Sequence, residues 1–131
     1  MVQKLTVLIC DDSPRFRSFV KSLLARVPWI EVAGEAVDGR HAVEKALELR
    51  PDVVLMDIEM PRLNGIEATR RIKKAGISSK VLILSLHQDI ELVKYAQEAG
   101  ADGYLPKECS VAHLSRAIEA VYNGQKYVVA A

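Results

Sequence analysis

Short apolar runs recur along the chain, separated by longer stretches with helical spacing. Leu5–Cys10, Val53–Met56 and Lys80–Ser85 are compact and dominated by aliphatic side chains, the pattern of strands buried on both faces of a parallel sheet. Residues 31–36 alternate instead, which fits a half-exposed edge strand, and residues 101–106 make a short last strand. Between them, apolar residues recur every three or four positions: Phe16, Phe19, Val20, Leu23, Leu24 and Val27; Ala42, Val43, Ala46 and Leu47; Ile66 and Ile72; Leu92, Val93 and Ala96; Val111, Leu114, Ile118 and Val121. Each set predicts a helix with one face in the core. The boundaries agree, with Ser13-Pro14, Asp38-Gly39, Asn64, Asp89 and Ser110 as starts and Pro28, Pro51, Gly76, Gly100 and Gly124 at or just past the ends. Five βα units in succession predict an α/β fold, a doubly wound five-stranded parallel sheet with five helices on both faces, joined by right-handed crossovers.

Composition changes this picture little. The chain has 131 residues, enough for one domain with a real core. Its 18 basic and 17 acidic residues leave a net charge of +1, so it has no electrostatic footprint for nucleic acid. Cys10 and Cys109 are far apart and without metal spacing; Cys10 reads as a small core residue, and a reducing cytoplasm is the expected setting. The opening Met1-Val2-Gln3-Lys4 lacks a signal-peptide run, and no apolar stretch is long enough to cross a bilayer.

The strand ends carry the chemistry. The central strands finish in Asp11-Asp12, Asp57, Ser85 and, two residues after Leu105, Lys107. In an open parallel sheet these ends share one edge, where ligands bind. Any one of them has an ordinary reading. Asp57 alone is a turn residue, Ser85 a strand terminator, Lys107 a solvated loop lysine and Tyr104 a static core aromatic. Asp11 and Asp12 could cap the first helix, but Ser13 already serves. Together, three carboxylates, a hydroxyl and an ammonium converge. Three like charges so close raise one another's pKa. A divalent cation with oxygen ligands removes that conflict; Mg²⁺ suits a site of one or two carboxylates, waters and phosphate oxygens. His41, His87 and His113 have no metal partners at useful spacing and read as surface histidines.

These motifs, in this order, resemble the receiver domain of two-component response regulators. The resemblance spans residues 5–124 and rests on Asp11-Asp12, Asp57, Met60-Pro61 with Asn64-Gly65, Ser85 and Lys107. Asp102-Gly103-Tyr104-Leu105 and the closing Asn123-Gly124 resemble the NarL/FixJ-type subfamily, whose full-length members carry a C-terminal helix-turn-helix. The resemblance implies a flavodoxin-like strand order of 2-1-3-4-5, a receiver domain over 1–124 and a tail over 125–131 that begins a linker to an output domain. It implies that Asp57 is the phosphoacceptor, that Asp12, Asp57 and the backbone carbonyl of Glu59 ligate Mg²⁺, and that Asp11 acts through water. Lys107 and Ser85 would hold phosphoryl oxygens. Ser85 moving towards the phosphate would empty space for Tyr104 to rotate inward, switching the face of the fourth helix, fifth strand and fifth helix. Glu59 and His87 would tune the lifetime of the phosphoryl group.

The implied partners are a sensor histidine kinase, docking near the first helix and the loop after the fifth strand, and an output domain or a second receiver. No direct contact with nucleic acid or membrane is expected of this segment, and the chain would be a signalling switch and not a turnover enzyme. Two competing readings use the same residues: a Mg²⁺-dependent phosphohydrolase with Asp57 as nucleophile, and a docking module indifferent to Asp57. A flavin-binding domain is disfavoured, because Asp11-Asp12 would repel the flavin phosphate. One departure stands out. Many receivers place a proline directly after the lysine, whereas here Pro106 precedes Lys107.

Overall fold

The computed structural model describes residues 4–129. The expectations for Met1–Gln3 and for the last two tail residues lie outside the described residues. Strands β1 (Leu5–Cys10), β2 (Ile30–Ala36), β3 (Val53–Met56), β4 (Lys80–Ser85) and β5 (Gly103–Pro106) alternate with helices α1 (Pro14–Leu24), α2 (Gly39–Leu49), α3 (Gly65–Lys74), α4 (Ile90–Glu98) and α5 (Val111–Tyr122). All strand pairs are parallel. The order is 2-1-3-4-5, with a sixth strand, β6 (Tyr127–Val128), beyond β5. The sheet therefore has one strand more than the sequence pattern predicts. β6 is too short to leave a periodic signal. Its place is set by the backbone, with Val129 N–H donating to Tyr104 O at 2.8 Å and Tyr127 N–H to Asp102 O at 3.2 Å.

The strand pleat divides the core in two. Leu8, Cys10, Val54, Met56, Val81, Ile83 and Tyr104 pack with residues of α2, α3 and α4 on one face. Val7, Ile9, Val53, Leu55, Leu82, Leu84 and Leu105 pack with residues of α1 and α5 on the other. This period-two alternation, with helices on both sides, is why β3 reads as continuously apolar. The helix starts form as the sequence implies. Ser13, Asp38, Asn64 and Ser110 each accept a bond from the N–H three residues on, which satisfies a donor the helix cannot.

Two apolar residues do not take the inward place their spacing suggests. Phe19 and Leu47 are exposed. Each lies at the margin of its helical stripe, where Val20 and Leu24, or Ala42 and Ala46, already fill the contact with the sheet. His41 and His113 sit half-buried at the surface; His41 Nδ1 accepts from Val37 N–H and His113 lies edge-on to Tyr127.

Candidate functional site

The register aligns the strand ends. Ala36, Cys10, Met56, Ile83, Tyr104 and Val128 form one row across the sheet. Asp11 and Asp57 lie one position past that row, Ser85 two and Lys107 three. The ladder continues into them: Asp11 N–H donates to Ala36 O, Asp57 N–H to Cys10 O and Lys107 N–H to Ser85 O. The alternation that sends Ile9, Leu55 and Leu105 to the α1/α5 face also sends Asp11, Asp57 and Lys107 there. Ser85 follows Ile83 to the other face, beside Tyr104.

Distances bear this out. Lys107 Nζ lies 2.7 Å from Asp11 Oδ2 and 3.4 Å from Asp57 Oδ1. It also sits 4.3 Å from the centre of the Phe16 ring, a favourable place for a cation. Phe16 reads from sequence as core alone; its position at α1's first turn, beside the acidic pair, was the available signal. One oxygen from each of Asp11, Asp12 and Asp57 can be chosen so that all lie within 4.8 Å of one another. Asp11 and Asp57 are buried while Asp12 is exposed. Burial, then repulsion from Asp11, pushes the Asp57 carboxyl up to about 6, against the attraction of Lys107. Burial opposes the charge on Lys107, but pairing with Asp11 and Asp57 outweighs it and holds its pKa above the usual lysine value.

These residues suit a hard divalent cation. The donors are all carboxylate oxygens, the chemistry Mg²⁺ prefers. Asp11 Oδ1 accepts from Ser13 N–H at 2.9 Å. Asp11 Oδ2 is buried and close to Lys107 but lacks hydrogen-bond geometry to any partner among the described residues, so it has acceptor capacity to spare for a metal or its water.

The loop after Asp57 is fixed from below. Gly65 N–H donates to Ile58 O at 2.8 Å, and a Cβ at Gly65 would overlap the Asp57 carbonyl oxygen. Arg62, with φ of 68°, adopts the left-handed conformation and pairs with Asp38 at 3.1 Å. These contacts hold the stretch that carries Glu59. The Glu59 side chain points into solvent and meets the ring of His87, a contact the sequence could not reveal because the two residues are far apart along the chain.

On the other face, Ser85 Oγ accepts from His87 N–H at 2.9 Å, which leaves its own proton free to donate. Tyr104 is buried, and its hydroxyl donates to His87 O at 2.7 Å. Burial raises its pKa, opposed by the nearby Ser85 hydroxyl. Tyr104 thus already occupies the inward position. The Lys107–Glu108 bond is trans, as are all described peptide bonds. Pro106 costs the β4 pairing no hydrogen bond, because its missing N–H lies on the β6 side. It points the same way as Tyr104, towards the β6 side, past the last β6 partner.

The comparisons with known proteins agree with this geometry. Residues 7–119 match the response regulator receiver domain family. The transcriptional regulatory protein DegU of Brevibacillus brevis is 42% identical over 125 residues, which are 95% of this chain and 53% of DegU. The nitrate/nitrite response regulator NarL of Escherichia coli K12 is 36% identical over 120 residues, 92% of this chain and 56% of NarL. The chain therefore spans about half the length of these curated relatives. Among solved structures, a LuxR-family two-component response regulator from Aurantimonas superposes with a TM-score of 0.90 at 36% identity, covering 95% of this chain and 89% of that one. The receiver domain of a Mycobacterium tuberculosis protein described as NarL superposes at 0.91 and 31% identity, covering 94% and 99%. Match, register and strand-end chemistry lead to one statement: the chain belongs to the response regulator receiver domain family, with relatives of the NarL/FixJ type.

Proposed function

We propose that this chain is the phosphoacceptor module of a signalling pathway and that Asp57 is its acceptor. An Asp57 carboxylate oxygen forms a bond to the phosphorus of a phosphohistidine or a small acyl phosphate. The bond from phosphorus to the donor breaks, and the donor leaves with the electron pair. Asp12, Asp57 and the Glu59 carbonyl would hold Mg²⁺, with Asp11 contributing through water. When bound, the ion supplies neutralising charge for the phosphoryl oxygens. Lys107 and Ser85 would hold those oxygens in the product, and Glu59 and His87 would tune how long it survives.

The observation that carries the reading is Asp57 itself. It is a buried carboxylate with an ammonium 3.4 Å away and two further carboxylates beside it. Asp102, by contrast, has its donors already in place, as expected of a structural acid.

The output is a change in the Ser85–His87–Tyr104 contacts that alters the surface of α4, β5 and α5. Because Tyr104 is already inward, this change is a rearrangement of bonds and not a journey from solvent. A histidine kinase would dock by α1 and the loop after β5, where Phe16, Phe19, Leu86 and Cys109 line a groove opening beside Lys107. Residues 125–131 would lead to an output domain that controls transcription, as the DegU description suggests for that protein, or the surface would meet a second receiver. The setting would be the cytoplasm. No described helix is long and apolar enough to cross a membrane.

Intact-mass spectrometry after incubation with Mg²⁺ and acetyl phosphate tests the proposal. One phosphoryl adduct is expected, dependent on the metal and absent from Asp57→Asn. A folded wild-type chain that gains no adduct with metal present would refute it.

A further inference from the structure

Three contacts meet at His87. Its N–H donates to Ser85 Oγ at 2.9 Å, its carbonyl accepts the Tyr104 hydroxyl at 2.7 Å, and its ring Nε2 meets the Glu59 carboxylate. Glu59 lies two residues past Asp57 and His87 two past Ser85. The ring–carboxylate contact therefore joins the loop after β3 to the loop after β4 across the sheet edge. The second loop is open to solvent: Leu86 within it is 63% exposed and Ile90, which begins α4 just after it, 70%. Yet Tyr104, at 1% exposure, anchors its hydroxyl on a main-chain carbonyl of that loop. A buried hydroxyl keeps such a bond only while the carbonyl stays in place. Ser85 Oγ and the Gln88 amide, which donates to Ser85 O at 3.0 Å, brace the loop from within β4 and the loop itself; the His87 ring, gripped by Glu59, is the contact that ties it to the loop after β3.

We infer that Glu59 and His87 form a positioning clasp that fixes the main chain at residue 87 and so holds Tyr104 and Ser85 in register with the phosphoacceptor loop. The clasp gives the chain a second route from the acidic site to Tyr104, through Glu59, beside the route through Ser85. A shift of Glu59, two residues past Asp57, is then felt at the Tyr104 hydroxyl. The signalling consequence rests on the proposed function; the clasp itself does not.

The test uses ¹⁹F NMR of the chain with its four tyrosines replaced by 3-fluorotyrosine, the Tyr104 signal being assigned with Tyr104→Phe. Glu59→Ala and His87→Ala change exposed side chains and are compared with the double variant and with the exchange Glu59→His plus His87→Glu. Each single variant is expected to move the Tyr104 signal towards those of the exposed tyrosines and make it accessible to a soluble paramagnetic agent. The double variant should do no more than either single, and the exchange should recover at least half of the shift. Single variants that leave the Tyr104 signal in place, or effects that add in the double, would overturn the clasp. The Asp57 adduct is measured in the same samples. A normal wild-type adduct with an unmoved Tyr104 signal rejects the clasp alone; a missing wild-type adduct rejects the proposed function and leaves the clasp to be judged by its own signal.

Discussion

Asp52 and Asp57 bracket the same four-residue strand, and they live under opposite conditions. Asp52, at the amino end of β3, accepts from Thr6 N–H at 2.8 Å and from the Thr6 hydroxyl at 3.1 Å. Asp102, at the amino end of β5, accepts from Lys73 at 2.7 Å and from Val81 N–H at 2.9 Å, with Lys126 at 3.5 Å. At the carboxyl ends, Asp11 and Asp57 share the single Lys107 ammonium, at 2.7 and 3.4 Å, with Asp12 as a third carboxylate beside them. The amino-end acids tie strands together. The carboxyl-end acids are held close against their mutual repulsion, a state that lowers stability and is expected where a ligand of opposite charge binds.

The contrast can be broken by experiment. The largest effect is expected at the amino end: Asp102→Ala leaves Lys73 and Val81 N–H without their acceptor and should lower unfolding free energy by about 3 kcal/mol in urea titrations. Next is the metal. Mg²⁺ at a hundred times its Kd should stabilise the wild type by about 2.7 kcal/mol, leave Asp57→Asn much less affected, and act undiminished on Asp102→Ala.

Third, Asp57→Asn should stabilise the metal-free chain at pH 7 by about 2–3 kcal/mol, since each unit of pKa shift is worth about 1.4 kcal/mol. The folded pKa of Asp57 is raised from 3.8 to about 6. Folding thus favours the protonated form, and the wild type loses stability as pH rises between those values. The advantage of asparagine should accordingly vanish below pH 4. Asp102 has the opposite sign. Burial would raise its pKa, but Lys73 and Val81 outweigh burial and lower it, so its contribution is present above the unfolded value and lost as pH falls through the lowered folded one. The pH dependence of stability in the two variants should therefore diverge. The smallest effect is Asp52→Ala, about 1 kcal/mol, because Asp52 is only half-buried. An Asp52→Ala chain stabilised like Asp57→Asn would dissolve the distinction.

The sequence shows one half of this contrast far better than the other. Asp11, Asp12, Asp57, Ser85 and Lys107 stand out because apolar runs end in them, and topology then gathers such ends at one edge. Asp52 looks like an ordinary loop acid and Asp102 like one letter of a strand motif; their structural roles are hidden because their partners Thr6, Lys73 and Val81 lie far along the chain. Helix caps are legible for the reverse reason: cap and target are three residues apart. β6 escaped notice because its pairing is carried by main-chain groups, and Phe19 because helical spacing marks a face without marking its margin. The Glu59–His87 contact joins two loops whose residues carry no periodic signal.

A sheet edge with free N–H groups is a template on which a stray strand can grow. Among the described residues the β6 pairing runs to Val129; the next main-chain donor on the outer side of β5 would come from residue 106, and that residue is proline. Any strand arriving there finds no proton to bind. The proline that precedes the site lysine thus closes off the stretch of sheet edge nearest the chemistry, and Pro106→Ala should make the chain more prone to form ordered aggregates while its acidic pocket stays intact.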